Sequence, residues 1–215
     1  ETLGMKPLLE ESAFLSLGDQ SGIEKLVLEE SPSMRSRKVD GIKKLARLIV
    51  KVANPSEVEA LLARMEKLPQ LYKGNKGYAF EILSPEGDLV LIHSEDDIKD
   101  LRKFDETVTF TKDEKVQYLT AFDISAEINL PAETASLLEK EEIETSITFK
   151  QAQGSDLLVE NNVTWDLSML KFQVKELELA SLRQRFETAG YFIPKSEKFF
   201  LTKDANNIEL WFEEV

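Results

Sequence analysis

The chain has 215 residues, no cysteine and a formal net charge of −13. The absence of cysteine excludes disulfides, thiol nucleophiles and zinc–thiolate sites. The acidic balance argues against nucleic acid, whose phosphates need clustered Lys and Arg, and no run of about 20 apolar residues offers a membrane span.

Taken in order, residues 5–10, 13–17 and 25–30 alternate polar and apolar side chains in the two-residue rhythm of strands. They look like the last three strands of a module whose opening strand and helix are missing, so the chain reads as beginning inside a module, with no secretory leader in view. Residues 31–44 form a polar connection containing Pro32, Arg35, Arg37, Lys38, Lys43 and Lys44. It reads as a crossover between modules, with an anion-binding or partner-docking loop as the alternative.

Residues 46–95 carry a complete unit. A strand over 47–52 places Leu48, Val50 and Val52 on one face and Arg47, Ile49 and Lys51 on the other. A helix follows, with Asn54 as cap, Pro55 at its first position and Glu57 completing a capping box; Val58, Leu61, Leu62, Met65 and Leu68 recur at helical spacing. Three strands come next, at 70–73, 78–83 and 88–93, with the turn Ser84-Pro85-Glu86-Gly87 joining the last two. Residues 94–116 are heavily charged and read as a solvated linker that opens with a short helix from Ser94 to Phe104.

The same βαβββ order returns twice. Strands at 122–131, 145–151 and 156–161, with a short helix near 133–140, make a third unit. The fourth has a strand at 167–174, a helical stripe of Leu179, Leu182, Phe186 and Ala189 ending at Gly190, and strands at 191–194, 198–202 and 208–213. Asn207 there stands where the second unit has Gly87, both tolerating positive φ.

The strings LGMKPLLEE, KLVLEE, RLIVKVANPSE and GYAFEILSPEGDLVLI resemble the vicinal-oxygen-chelate (glyoxalase/bleomycin-resistance/dioxygenase) superfamily, and KDANNIELWF repeats its closing hairpin more loosely. The strings NVTWDLSMLKF and IELWFEEV further resemble the CppA family, whose family label is complement C3-degrading proteinase. The resemblance implies an α+β fold in which tandem βαβββ modules form two glyoxalase-like cup-shaped sheet domains. These are expected at 1–93 and 117–215, separated by the charged linker 94–116.

Metal-binding members of that superfamily place His or Glu ligands on the first and last strands of each module. Here the opening strands offer Arg47, Ser125 and Met169, and the closing strands offer Leu28, Leu91, Leu157 or Leu158, and Glu209. A lone carboxylate among apolar groups does not make a divalent site, so no metal and no other cofactor are expected. The first cup is expected to be lined by Leu26, Leu28, Glu30, Arg47, Ile49, Leu89, Leu91 and His93, with Arg47 either paired to Glu30 or free for a carboxylate ligand. The second is expected to hold Glu127, Met169, Lys171, Gln173, Glu209, Trp211 and Glu213.

Catalytic chemistry is weakly supported. His93 is the only histidine, so any Ser/His/Asp apparatus must run through it, and it reads as a rim residue with an ordinary pKa. Lys171 among the carboxylates of the second cup is either a structural ion pair or, with Glu209 raised in pKa by the apolar wall around Met169 and Trp211, part of a general acid/base pair of a cofactorless enzyme. Trp165 and Trp211 read as core or ligand-stacking residues, and 139–144 as a solvated face. Two functions follow as expectations: a metal-free binding or interaction protein without protease chemistry of its own, or a small-molecule enzyme of the glyoxalase/dioxygenase type. The partner would be a protein, complement C3 by the family label, or a small ligand in the cups. Localisation reads as cytoplasmic, or surface and released if the family label holds.

Overall fold

In the computed structural model, residues 2–30, 43–111, 116–130, 147–151, 166–203 and 208–214 are described. The expected helix near 133–140, the strand at 156–161, Leu157, Leu158, Trp165, the turn around Asn207 and most of the 31–44 connection lie outside them. The chain divides into two units: residues 1–31, 45–128 and 143–148, and residues 32–44, 129–142 and 149–215.

The first unit opens with a meander, β1 (Lys6–Glu11), β2 (Phe14–Gly18) and β3 (Glu24–Glu29), in a three-stranded antiparallel sheet. Its larger sheet is built around β4 (Leu45–Val52), followed by α1 (Pro55–Leu62), β5 (Gln70–Gly74), β6 (Gly77–Leu83), β7 (Leu89–His93) and the short β8 (Arg102–Phe104). With β9 (Phe122–Leu130) and β10 (Ile147–Gln151), the strand order is β10-β9-β4-β7-β6-β5-β8. β4 and β7 run parallel, which α1 makes possible by returning the chain across the sheet.

The alternation in β4 decides which face is core. Val50 and Val52 are 0% and 1% exposed and join Val58, Leu61, Leu62, Phe80, Val90, Ile92 and Phe122 in one cluster, with Leu48 packed against it. Asn54 caps α1 through its side-chain oxygen on the Ser56 N–H at 3.2 Å. Glu57 does not complete the expected capping box. Its carboxylate is buried and accepts the Thr120 N–H at 3.2 Å, tying α1 to the segment that enters β9. The helix also stops at Leu62 rather than Leu68, because three-residue bonds from Arg64 to Leu61 and Met65 to Leu62 tighten its end. Met65 and Leu68 still pack on the core.

Two readings of the connecting region are corrected. The helix expected from Ser94 to Phe104 is a single 3-10 turn over Ile98–Asp100 capped by Asp97, and the chain then adds β8 to the edge of β5. The region is not uniformly solvated, since Phe104, Val108 and Phe110 pack on the core and Tyr78 meets Phe104 and Phe110 edge to face at 5.4 and 5.1 Å. β9, which the sequence placed in the second cup, is paired antiparallel along β4, from Leu45↔Ile128 to Val52↔Phe122.

The second unit repeats the plan with β11 (Met169–Val174), α2 (Leu179–Arg185), β12 (Tyr191–Phe192), β13 (Phe199–Lys203) and β14 (Glu209–Glu214), ordered β11-β14-β13-β12 with β11 parallel to β14. This is the order β4-β7-β6-β5 of the first unit, strand for strand. Leu182, Phe186, Phe200, Leu210 and Phe212 form its buried side, with Phe172 stacked on Phe212 at 4.9 Å. Gly190, at φ +73, follows the helix as a residue free to take the left-handed turn.

Candidate functional site

The face of the large sheet opposite its core carries the polar residues of interest. On β4 the series on that face is Arg47, Ile49 and Lys51, with Ile49 buried; on β9 their partners are Glu127, Ser125 and Asp123. On β7, Leu91 and His93 stand beside Ile49 and Lys51. The β6–β7 hairpin then fixes Glu81 opposite Leu91. Its register follows from the loop at 84–88, where the Gly87 N–H reaches the Ser84 carbonyl and Gly87 sits at φ +80.

Arg47 is the centre of this face. Its Nη2 lies 2.8 Å from Glu127 Oε1 and its Nη1 lies 3.3 Å from Glu81 Oε2. The side chains are 23%, 9% and 19% exposed for Arg47, Glu127 and Glu81. Burial disfavours the guanidinium charge, yet the two carboxylates outweigh it and raise the Arg47 pKa above its ordinary value. The expected pairing with Glu30 is therefore replaced by a bridge across three strands, and Glu127 belongs to the first sheet rather than to a second cup. Glu30 follows the end of β3, donating its N–H to the Ala13 carbonyl at 2.7 Å. Leu26 packs against the core cluster on the other side of β4, and Leu28 is half exposed.

His93 departs from its expected character. It is 3% exposed, and burial, then Lys51, then Arg47, push its pKa down to about 4. Its Nδ1 accepts the Glu95 N–H at 3.1 Å, which places the proton on Nε2. A histidine held neutral with its lone pair committed to the backbone cannot take a proton from a nucleophile at neutral pH. Ser94 and Glu95 are buried beside it, and Glu95 accepts the Lys76 N–H at 2.6 Å.

Gly74 explains how tightly this corner is built. A Cβ there would lie 2.5 Å from Glu95 Oε1. Gly74→Ala is accordingly expected to displace a buried carboxylate from the Lys76 N–H and to lower stability by about 1–3 kcal/mol in urea titration. A change under about 0.5 kcal/mol would show that Glu95 moves aside freely.

In the second unit, Met169, Lys171 and Gln173 stand beside Glu209, Trp211 and Glu213 in register. Lys171 pairs with Glu213 at 2.7 Å and lies 5.4 Å from the Trp211 ring centre, while Lys203 is the lysine nearest Glu209 in this sheet, at 3.8 Å. Trp211 stacks on Phe199 at 4.5 Å. Lys171 therefore takes the ion-pair alternative, with Glu213, in place of an acid/base pair with Glu209, and Trp211 stacks on a side chain of its own sheet.

The metal implied by the superfamily does not fit these residues. A ligand-bearing opening strand needs a lone-pair donor such as an imidazole or a carboxylate, whereas β4 supplies a guanidinium, which has no lone pair to give and is already bonded to both nearby carboxylates. Among the described residues, no three His, Asp or Glu side chains converge on a common point, and no helix is long and apolar enough to cross a membrane.

Comparison with known proteins bears on this arrangement. The CppA N-terminal family matches residues 1–104 and the CppA C-terminal family matches residues 119–212. The chain belongs to the CppA family. A crystal structure of the cppA protein from Streptococcus pneumoniae TIGR4 is 64% identical, with a TM-score of 0.91 over 100% of this chain and 90% of that one. A "putative dioxygenase" from Bacillus subtilis subsp. subtilis str. 168 is 15% identical, with a TM-score of 0.53 over 99% of this chain and 78% of that one. This second likeness shows a glyoxalase/dioxygenase-type fold and nothing of activity. No curated protein matches the chain. In CppA terms, β9 opens the C-terminal family region yet hydrogen-bonds to β4 of the N-terminal one.

Proposed function

We propose that this CppA chain is a binding protein on a glyoxalase-type fold, without peptidase chemistry of its own. The observation that carries the reading is the position of Arg47 between Glu81 and Glu127. At the place where the superfamily arranges ligands for a cation, this sheet holds a cation of its own, and both carboxylates are spent on it. Peptide hydrolysis needs an activated nucleophile or a polarised water. The only histidine is neutral and bonded to backbone, and cysteine is absent from the sequence.

The family label makes complement C3 the first protein to test as a partner. Purified protein incubated with C3 is expected to leave its chains intact while binding it in surface plasmon resonance. Elemental analysis after equilibration with zinc, nickel, manganese and iron salts is expected to find no stoichiometric metal. C3 cleavage that disappears in Glu209→Gln or His93→Ala, or one equivalent of metal released by Glu127→Gln, would overturn the proposal in favour of an enzyme.

A further inference from the structure

The chain leaves β7 through a corner at residues 93–96. The Glu95 N–H donates to His93 Nδ1 at 3.1 Å, and the Glu95 carboxylate accepts the Lys76 N–H at 2.6 Å. Asp96 adds ion pairs to Lys76 at 2.7 Å and to Lys51 at 3.3 Å, but its side chain is 75% exposed and each lysine is 42% exposed, so water takes up most of their worth. Ser94 adds nothing: it is buried, and its hydroxyl has no hydrogen-bond partner. Glu95 is therefore the pin, held by its backbone to His93 and by its carboxylate to the β5–β6 turn.

That pin depends on the protonation state of one ring. A backbone N–H needs a lone pair, and Nδ1 offers one only while the imidazole is neutral. A proton on Nδ1 would set donor against donor and bury a cation beside other cations, since Lys51 stands next to His93 on β4 and Arg47 lies further along that strand. The carboxylates nearby are engaged elsewhere. Glu81, opposite Leu91 on β6, bonds Arg47; Asp123, opposite Lys51 on β9, pairs with Lys25; Asp96 bridges Lys51 and Lys76; Glu95 turns its carboxylate to the Lys76 N–H. Burial, then Lys51, then Arg47 hold the His93 pKa at about 4. The hydrogen bond from Lys76, and then that from Lys51, keep the Asp96 carboxyl below its ordinary value, so the exposed pairs do not let go first. Swinging the corner into water would solvate the imidazolium and relieve the whole arrangement at once.

We propose that residues 93–96 form an acid-operated latch: proton uptake by His93 releases Glu95 and opens this corner to solvent while the sheet and α1 behind it stay folded. A form that exposes the ring binds the proton with the ordinary affinity, near 6.5, so its population should climb about tenfold per pH unit below that value. The ceiling is about 300-fold, set by the closed form's pKa of about 4. The latch is independent of the binding-protein reading, and either can fail alone.

Because the sequence has no cysteine, a single Ser94→Cys reports on the corner through its labelling by a pyridyl disulfide, a reagent active in acid. Rates are divided by those of the urea-unfolded chain at the same pH, and Val50→Cys, at a core position 0% exposed, reports global unfolding. Ser94→Cys is expected to label at least about tenfold faster than Val50→Cys and to gain about tenfold per pH unit from about pH 6.5 to about 4.5. Urea below the unfolding transition should leave its rate unchanged while accelerating Val50→Cys. Adding His93→Asn, which keeps an acceptor for the Glu95 N–H and takes up no proton, should flatten the pH response. Circular dichroism checks that each variant is folded, and hydrogen exchange at the Glu95 and Lys76 amides makes the same comparison in the unsubstituted chain. Labelling of Ser94→Cys at the Val50→Cys rate and with its urea dependence would mean that the corner opens only with the whole protein, and would overturn the inference. So would a pH response that survives His93→Asn, or fast labelling that is equal at about pH 7 and about pH 4.5.

Discussion

Replacing Arg47 with Met is expected to lower the unfolding free energy by about 2–4 kcal/mol, read from urea titration at neutral pH. Removing the guanidinium takes the Arg47 charge away from Glu127, 9% exposed, and Glu81, 19% exposed. The cost of taking this cation from a carboxylate comes from the group's lost solvation, so it is largest for Glu127 and is moderated by the partial exposure of the group. Arg47→Lys should recover only part of the loss, because one ammonium cannot place two nitrogens 2.8 and 3.3 Å from carboxylates on two different strands. The decisive comparison is Arg47→Met combined with Glu81→Gln and Glu127→Gln, expected to regain most of the stability. If all of these variants unfold within about 0.5 kcal/mol of the parent, the bridge is no more than a solvated surface pair, and the case against a cation site at this position loses its physical basis.

What the sequence revealed, and what it concealed, follows from the range of the interactions involved. β4, α1, β6 and β7 were legible because each is fixed by signals within a few residues: alternation over 47–52, the Asn54–Pro55 cap, and the turn at 84–88. The βαβββ order carried through to the second unit for the same reason. Pairing between modules was not legible. Nothing local in β9 states that it will lie along β4, and assigning it to the wrong sheet moved Glu127 away from Arg47. Glu81 went unnoticed although the hairpin register, once read, puts it opposite Leu91 and on the Arg47 face. The segment 94–111 misled because its charge density hid three apolar anchors, Phe104, Val108 and Phe110, spaced too irregularly for a periodic signal. Strand alternation gives the face of a side chain but not the depth of its burial, which is why His93 reads from the sequence as a rim residue.

That depth gives His93 a measurable signature. With the folded-state pKa near 4 and an unfolded value near 6.5, folding excludes a proton that the unfolded chain binds. The sign follows: above about pH 6.5 neither state is protonated at His93 and its titration costs nothing. As pH falls from there toward 4, the unfolded chain is stabilised by protonation while the folded one is not, and stability drops, by up to about 3 kcal/mol. Below the folded pKa both states carry the proton and the His93 contribution levels off. This window is clean, since His93 is the only histidine and most carboxylates titrate lower. His93→Asn keeps a side-chain acceptor for the Glu95 N–H while removing the titration, so its stability should be nearly flat between pH 6.5 and about 4.5 where the parent's declines. The imidazole proton resonances of the folded protein should accordingly show no midpoint near 6.5. A midpoint there would mean a solvated imidazole free to act as a base, reopening the nucleophile chemistry that the bonded, neutral ring excludes.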